Sequence, residues 1–374
     1  MAKRKWILFV TIITLASLLV VLVAGEMLLR FKRRHIGSSD HLDYGMIVYD
    51  NHLGWKLAPN WNGRHKHYDF DVSYSTNSHG FRNDFNTKQG RAGLGYAFVG
   101  DSFTFSFGVN DNETFIQLLN LQEKHGNVYF NFGVPGYSTD QEYLLIRRTV
   151  LHFSPDVILL VVYLGNDLFD NELPFPLQAN RAKPYYELMS NELILRNTPV
   201  PPEPKPQEQY KKDLTRVVLG EDVKANGLIA RIVNRIELLR LLKQNLLKDP
   251  DYSNQFEGRF EHAVNLFTAI VEQIRDACIE NEAKLSLILM PGRSFVVQPY
   301  SVSAQFQNYL RKRIVENSED MKVDVIDLAT RLRERYQRNP GKWYYPNEGH
   351  LTAEGHRIVL DILSPLLPRL NVGI

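Results

Sequence analysis

The sequence of 374 residues has a single cysteine, Cys278, and almost no excess of charge of either sign. One cysteine excludes an intrachain disulfide and any metal cluster built on cysteine. It leaves the compartment open, because a chain with a large core can be stable outside the cytosol without disulfides. The 44 lysines and arginines are scattered along the chain and face 42 aspartates and glutamates, so the formal net charge is only +2. This pattern predicts no nucleic-acid partner.

Several motifs of well-known enzyme classes are also missing from the sequence. It has no phosphate-binding loop and no nucleotide fingerprint. It has neither the Gly-x-Ser-x-Gly elbow nor the Ser-x-x-Lys motif of two other serine-enzyme layouts. His65 and His67 have a spacing that could ligate a metal, but the sequence shows no matching third ligand. We therefore predict no metal and no cofactor.

One long apolar run is present, and it lies at the N-terminus. Residues 6–25 are uncharged, and at about 1.5 Å per residue a helix of this length spans roughly 30 Å, the thickness of a bilayer's hydrocarbon core. Lys3, Arg4 and Lys5 precede the run as in a signal peptide, but it exceeds the roughly 7–15 residues of a typical signal core and no Ala-x-Ala follows. The sequence predicts an uncleaved transmembrane anchor over 1–30, with a cleaved signal as the alternative. Basic residues on both sides leave its orientation open.

The next segment, residues 31–92, is predicted to be a tether followed by a small β-rich segment. Residues 69–75 alternate strictly, with Phe70, Val72 and Tyr74 on one face, which is the pattern of a strand. No second apolar span follows the anchor, so we expect the remainder to form one soluble domain on one side of the membrane.

From residue 93 to residue 370 strand-like runs alternate with helical patterns, which predicts an α/β fold with a doubly wound parallel sheet. An insertion over 170–254 interrupts this domain and contains a proline-rich stretch at 199–206 and a leucine-rich helix at 228–247. Insertions of this size usually build a lid or a substrate wall. The strands are expected at 96–99, 128–132, 156–164, 284–290 and 323–327, and the helices at 115–124, 139–152, 255–282, 304–316 and from 353 onward.

Three polar loops follow three successive predicted strands. Ser102 ends the first, Gly-Asp-Ser, where ligand sites form and where the free N–H groups of a following helix stabilise negative charge. Gly136 lies in the second loop and Asn166, whose amide is a competent oxyanion donor, in the third. Each loop alone would pass as a turn or a helix cap. Three at one edge of the sheet indicate a catalytic site with a serine nucleophile.

A serine nucleophile needs a base, and His350 is the best placed of the eleven histidines. It follows the last predicted strand and precedes the final helix, which Thr352 can cap. The nearby Glu348 supplies a carboxylate that could orient the imidazole and stabilise its protonated form.

These blocks, taken in order, resemble the SGNH (GDSL-type) hydrolase superfamily over about 93–172 and 255–370. The resemblance implies a flavodoxin-like doubly wound sheet, Ser102 as nucleophile and His350 as base. It also implies an oxyanion hole made by the Ser102 N–H, the Gly136 N–H and the Asn166 side chain. The anchor, the Asn-Ser-His-Gly-Phe-Arg segment at 77–82 and the loop at 134–141 are similar to membrane-tethered bacterial members, including the alginate O-acetylation proteins.

The sequence departs from that family's pattern at two places. The third block usually reads Gly-x-Asn-Asp, whereas here Gly165 directly precedes Asn166. The aspartate expected two or three residues before the histidine is replaced by Glu348 and Asn347. We favour Glu348 as the catalytic acid, and a Ser102–His350 dyad without an acid is the alternative.

The sequence predicts a membrane-tethered serine esterase that acts on acyl esters, O-acetyl groups in particular, of a cell-envelope or exported glycan. Its expected partners are an acylated glycan or a small ester and the membrane, with the catalytic domain on the periplasmic or extracellular side. The same residues could pass the acyl group to a sugar hydroxyl, so an O-acyltransferase is one alternative. A non-enzymatic glycan-binding protein on the same fold is the other.

Overall fold

The computed structural model describes residues 2–37, 39–82, 92–177, 179–203, 251–252 and 256–370. It begins with the helix α1 (Ala2–Gly37), in which an 18-residue window within Lys3–Lys32 has a mean hydropathy of 3.0 and is 0% buried. By length and composition this helix could cross a membrane, although a signal sequence would meet the same criteria.

Five short strands follow and form two small antiparallel sheets. They are β1 (His41–Leu42), β2 (Ile47–Asp50), β3 (Gly54–Leu57), β4 (Asn62–Lys66) and β5 (Asp71–Ser75). β4 lies between β1 and β5, and β2 pairs with β3. Val72 and Tyr74 are buried while their neighbours in β5 face outward, so the strand predicted here is confirmed. Trp55 and Tyr74 belong to the same hydrophobic core as the central sheet, which means that these strands pack directly on the α/β part of the molecule.

A five-stranded parallel sheet forms the centre of the described chain. The remaining strands are β6 (Gly95–Gly100), β7 (Val128–Gly133), β8 (Val157–Tyr163), β9 (Tyr185–Met189), β10 (Glu192–Arg196), β11 (Lys284–Met290) and β12 (Asp324–Ile326). The sheet has the order β7-β6-β8-β11-β12, and every neighbouring pair is parallel. This is the flavodoxin-like order of a doubly wound fold, so the predicted fold class is confirmed. The separate pair β9–β10 is an antiparallel hairpin.

The helices pack in two groups. After α1 they are α2 (Ser102–Phe105), α3 (Phe115–Gln122), α4 (Thr139–Arg148), α5 (Asp167–Asp170), α6 (Glu261–Glu280), α7 (Arg293–Val297), α8 (Val302–Met321), α9 (Leu328–Arg338) and α10 (Ala353–Leu363). In one group α4 packs against α6, which packs against α8; in the other α3 packs against α10, which packs against α9. The part of the chain that the structure describes also has 3-10 turns at Asp111–Glu113, Val150–Phe153 and Leu367–Arg369.

The predicted strands and helices of the α/β part are present with ends that differ by a few residues. The largest difference is in the helix expected from residue 255, which begins at Glu261. The helix α9 and the hairpin β9–β10 were not predicted. The helix predicted at 228–247 lies outside the described residues. The described part of the proline-rich stretch is neither helix nor strand, and its Val200 N–H donates to the Asn51 carbonyl at 2.8 Å.

Candidate active site

Ser102 lies where β6 ends, as the first residue of α2. Asp101 caps that helix: one carboxylate oxygen accepts from the Phe103 N–H at 2.8 Å. Burial raises the pKa of the Asp101 carboxyl to about 6, against the opposing effect of this N–H. Ser102 itself is only 7% exposed, so its hydroxyl is shielded from bulk water.

The structure brings Ser102, His350 and Glu348 into one hydrogen-bonded chain. The distance from His350 Nε2 to Ser102 Oγ is 2.7 Å, and His350 Nδ1 lies 2.5 Å from Glu348 Oε1. The His350 backbone N–H donates to the other Glu348 oxygen at 2.9 Å. With Nδ1–H donating to the carboxylate, the lone pair of Nε2 faces the serine hydroxyl, which is the arrangement that general-base catalysis requires.

The surroundings of Glu348 and His350 favour an ionised carboxylate and a fixed imidazole ring. Burial by itself raises the pKa of the Glu348 carboxyl, but the hydrogen bond and charge of His350 lower it overall below its ordinary value. The carboxylate therefore stays ionised at neutral pH and can stabilise a protonated imidazole. Two aromatic rings hold the imidazole, with centroid distances of 4.5 Å to Phe103 and 5.7 Å to Phe107.

The loop that carries Gly136 is fixed from two sides. The Val134 N–H donates to the Gly100 carbonyl at the end of β6 at 2.9 Å. From the other side, Trp55 Nε1 donates to the Pro135 carbonyl at 3.0 Å, and the Tyr137 hydroxyl donates to the Trp55 carbonyl at 2.5 Å. Gly136 has a φ of +82°, the left-handed region that glycine adopts without strain.

Asn166 follows β8 and caps α5, with 4% exposure. Its side-chain Nδ2 donates to Asp170 Oδ2 at 2.6 Å, which fixes the plane of the amide. The departure at Gly165 has a physical reason, because a Cβ there would lie 2.4 Å from the ring of Tyr163, the last residue of β8. β6 lies between β7 and β8, so the loops of Ser102, Gly136 and Asn166 leave the same edge of the sheet at its topological switch point.

The histidine pair considered for a metal is engaged within the protein. His65 contacts the Tyr74 hydroxyl through Nδ1 at 2.9 Å and Asp40 Oδ1 through Nε2 at 2.7 Å. The ring of His67 accepts the Asp69 N–H at 3.1 Å. Among the described residues, no group of three or more His, Cys, Asp or Glu side chains is arranged to hold a metal ion.

Sequence reasoning did not single out three residues that hold the site. Trp55 fixes the Gly136 loop, Phe107 packs on the imidazole and Asp69 binds the turn before His350. Asp69 and Trp55 lie far from the site in sequence, and no local pattern indicates such contacts.

Several solved structures are similar to this chain at low identity. They include the acetyl xylan esterase AlAXEase, at 14% identity over 73% of this chain and 100% of that one, with a TM-score of 0.42. A lipolytic G-D-S-L protein from Veillonella parvula DSM 2008 has 12% identity over 74% and 100% of the two chains, with a TM-score of 0.40. A catalytic mutant of Axe2, an acetylxylan esterase from Geobacillus stearothermophilus, has 9% identity over 76% and 95%, also with a TM-score of 0.40. No curated protein matches the chain.

The sequence profile of the GDSL-like Lipase/Acylhydrolase family matches residues 98–358. The match covers well over half of the chain and contains Ser102, Gly136, Asn166, Glu348 and His350. The chain therefore belongs to the GDSL-like Lipase/Acylhydrolase family and is a serine hydrolase.

Proposed function

We propose that this protein is a serine esterase that removes acyl groups, O-acetyl groups in particular, from a cell-envelope or exported glycan. The observation that carries the proposal is the continuous contact from Ser102 Oγ through the His350 imidazole to Glu348, at 2.7 and 2.5 Å. A hydroxyl, a base and a carboxylate in this order are the parts that acyl transfer through a serine requires.

In the proposed reaction His350 takes the Ser102 proton as Oγ attacks the ester carbonyl. The negative charge that develops on the carbonyl oxygen is stabilised by the Ser102 and Gly136 N–H groups and the Asn166 amide. His350 then returns the proton to the leaving sugar hydroxyl, which leaves an acyl group on Ser102. A water molecule, deprotonated by His350, releases the acid and restores the serine.

The glycan part of the proposal is supported by the resemblance of the segments at 77–82 and 134–141 to membrane-tethered family members, and both segments contact the residues around the site. In the 77–82 segment, the buried Arg82 donates to the Phe105 and Ser106 carbonyls at 2.9 and 2.6 Å and so holds the chain leading to Phe107. In the loop at 134–141, Tyr137 bonds to Trp55.

The second candidate function is transfer of the acyl group to a sugar hydroxyl. It uses the same serine and the same acyl-enzyme, and only the acceptor differs. The burial of Ser102 favours it, because an acyl-enzyme shielded from bulk water survives longer until a hydroxyl acceptor binds.

The proposal also keeps α1 as an uncleaved anchor, with the catalytic domain on the periplasmic or extracellular side. The apolar helix over Lys3–Lys32, whose 18-residue apolar window is 0% buried, supports this. The mass of the mature protein extracted from membranes tests it, since a cleaved signal would give a shorter protein that needs no detergent.

The decisive experiment uses the full-length protein in detergent. We expect acetate release from acetylated glycans and from short acyl esters, and labelling of Ser102 by a fluorophosphonate probe. A sugar acceptor added to the reaction separates transfer from hydrolysis, because transfer yields a new sugar ester in place of acetate.

Ser102→Ala is expected to lower turnover by at least about 10⁴-fold and to abolish labelling. Ser364→Ala, at an exposed serine after α10, is the matched control and should change neither. A Ser102→Ala protein that still turned over esters at the wild-type rate would remove the mechanism.

A further inference from the structure

We propose that Asp69, in the N-terminal β-rich segment, is a positioning residue that holds the acid–base turn of the site. One of its carboxylate oxygens, Oδ2, accepts the backbone N–H groups of both Asn347 and Glu348, each at 2.9 Å. The other, Oδ1, accepts from the Asn347 side-chain Nδ2 at 2.6 Å. The proposal rests on the function proposed above, in which Glu348 is the acid that serves His350.

The contacts run without interruption from Asp69 to the nucleophile. Asp69 fixes the backbone at Glu348, and both Glu348 oxygens are then engaged by His350, one by Nδ1 and one by the backbone N–H. His350 in turn contacts Ser102. A shift of the Asp69 turn would therefore move the carboxylate relative to the imidazole.

A second contact links the same two segments. Phe70, the next residue after Asp69, packs its ring 5.1 Å from that of Tyr345, which begins the turn. The Tyr345 N–H donates to the His350 carbonyl at 2.9 Å and closes the turn on the histidine itself. The N-terminal segment is thus a structural part of the active site, even though the residues that it contacts lie some 280 positions further along the chain.

The same arrangement explains why asparagine stands at position 347. The side chain of Asn347 points to Asp69 and donates to it, so an aspartate there would place two carboxylates against each other. Like charges at such a distance disfavour each other's ionised forms. Asp69, Asn347 and Glu348 therefore form one matched set.

The test compares four variants of the full-length protein. Asp69→Ala should lower kcat by about 10–10²-fold, because small misplacements of catalytic groups cost this much. We expect KM for a short ester to change little, since both carboxylate oxygens of Asp69 are engaged by Asn347 and Glu348. Asn347→Asp should also lower kcat, although it restores the residue type common in the family. Asp69→Asn alone should leave kcat nearly unchanged, because the Asn347 side-chain amide can flip so that its oxygen accepts from the new amide N–H.

The double variant Asp69→Asn/Asn347→Asp is the decisive test of the proposal. The amide at 69 can donate to the carboxylate at 347, while its carbonyl oxygen still accepts the two backbone N–H groups. Turnover should therefore recover from the Asn347→Asp level to within a few-fold of wild type. Thermal midpoints measured on the same variants separate positioning from a merely structural role. If Asp69 only stabilised the fold, kcat would recover only together with thermal stability. Asp71→Asn, at an outward-facing aspartate of β5 that pairs with Arg64, is the matched control.

The outcomes separate the two proposals. If Asn347→Asp raises kcat, or the double variant is no more active than Asn347→Asp, the positioning role of Asp69 is wrong while the esterase stands. An Asp69→Ala variant with the kcat of the wild type would likewise show that Asp69 does not position the site. A wild-type protein without ester turnover and without labelling at Ser102 overturns the proposed function, and the role of Asp69 with it.

Discussion

At the scale of single residues, Glu348 is the proposed acid that orients His350. Glu348→Gln keeps the shape and one acceptor for Nδ1–H but removes the charge that stabilises the protonated imidazole. We expect kcat to fall by up to about 10⁴-fold, the loss known for neutralising the carboxylate of a triad. Glu348→Asp should retain part of the activity, because it keeps the charge with a shorter reach. Steady-state turnover of a short ester, with thermal midpoints alongside, measures both; a fully active Glu348→Gln enzyme would point to a Ser102–His350 dyad.

Asn166 is the residue at which the oxyanion hole is tested. Asn166→Ala removes the proposed amide donor and should lower turnover by about 10²–10³-fold. Asn166→Asp keeps the size but puts a negative acceptor beside a developing negative charge, so it should be at least as damaging. Both variants should still label with the fluorophosphonate probe, only more slowly, because Ser102 and His350 are untouched. An Asn166→Ala enzyme with nearly full turnover would assign the donor elsewhere.

The sequence identifies the residues of the site better than it predicts their contacts. Ser102, Gly136, Asn166 and His350 could be found because each follows a strand or precedes a helix with a recognisable pattern. The sequence favours Glu348 as the acid, but it does not show where the Asn347 side chain lies, because that depends on Asp69. That contact is decided by how the N-terminal strands pack on the domain, and no local pattern records such packing.

At the scale of elements, the strand β3 supports the Gly136 loop through Trp55. Trp55→Phe keeps most of the ring but removes the N–H that bonds to the Pro135 carbonyl. We expect a loss of about 1 kcal/mol in the free energy of unfolding, typical of one hydrogen bond, together with lower kcat because the loop can shift. Trp61→Phe is the control, since Trp61 donates in the same way to the Tyr44 carbonyl at an exposed position. Equal effects of the two variants on kcat would contradict a role for β3 in the site.

The elements that the sequence predicts have a clear local pattern of apolar residues, and the elements that it misses do not. β8 and β11 are buried along almost their whole length, so they are continuous apolar runs that can be read directly. The helix α9 is rich in arginine and buries only three of its residues, so few apolar residues mark it in the sequence. The hairpin β9–β10 turns at Ser190 and Asn191, both with positive φ, without the Asn-Gly or Asp-Gly pair that signals such turns.

At the scale of the whole molecule, the catalytic domain buries an unusual number of carboxyl groups. Burial raises the pKa of Asp101 and of Asp170 to about 6. Burial also raises the pKa values of Asp140, Glu142 and Asp167, and for Glu142 and Asp167 repulsion from neighbouring carboxylates adds to it. Asp140 has a buried ion-pair partner in Lys183, whereas neither carboxyl oxygen of Glu142 has a hydrogen-bond partner. These groups favour a folded state that holds more protons than the unfolded chain.

The sign of the resulting pH dependence follows from the direction of these shifts. Between the ordinary carboxyl pKa near 4 and the raised values near 6, the folded protein binds more protons than the unfolded one, so the free energy of unfolding falls as pH rises. A carboxyl raised from 3.8 to about 6 costs the fold a few kcal/mol at pH 8, at about 1.4 kcal/mol per pKa unit. Glu348 and Asp50 have lowered pKa values, and their contribution is present above the ordinary value and lost as pH falls through the lowered one. Burial lowers the pKa of His65 and brings that of His356 to about 3, so these two histidines oppose the carboxyls below the ordinary histidine value near 6.5. Because the five raised carboxyls outnumber them, stability should be greater near pH 5 than at pH 8.

We expect the thermal midpoint of the full-length protein to be higher at pH 5 than at pH 8. Glu142→Gln should raise the midpoint at pH 8 and reduce the difference between the two pH values, because it removes a buried carboxyl whose ionisation the folded protein opposes. Asp71→Asn is the opposite control, since Arg64 lowers the pKa of Asp71 by hydrogen bonding and its removal should not stabilise the protein at pH 8. Calorimetry of the three proteins across this range is the measurement. A midpoint that rose steadily from pH 5 to pH 8, or a Glu142→Gln variant less stable than wild type at pH 8, would show that the folded protein stabilises these carboxylates in their charged form.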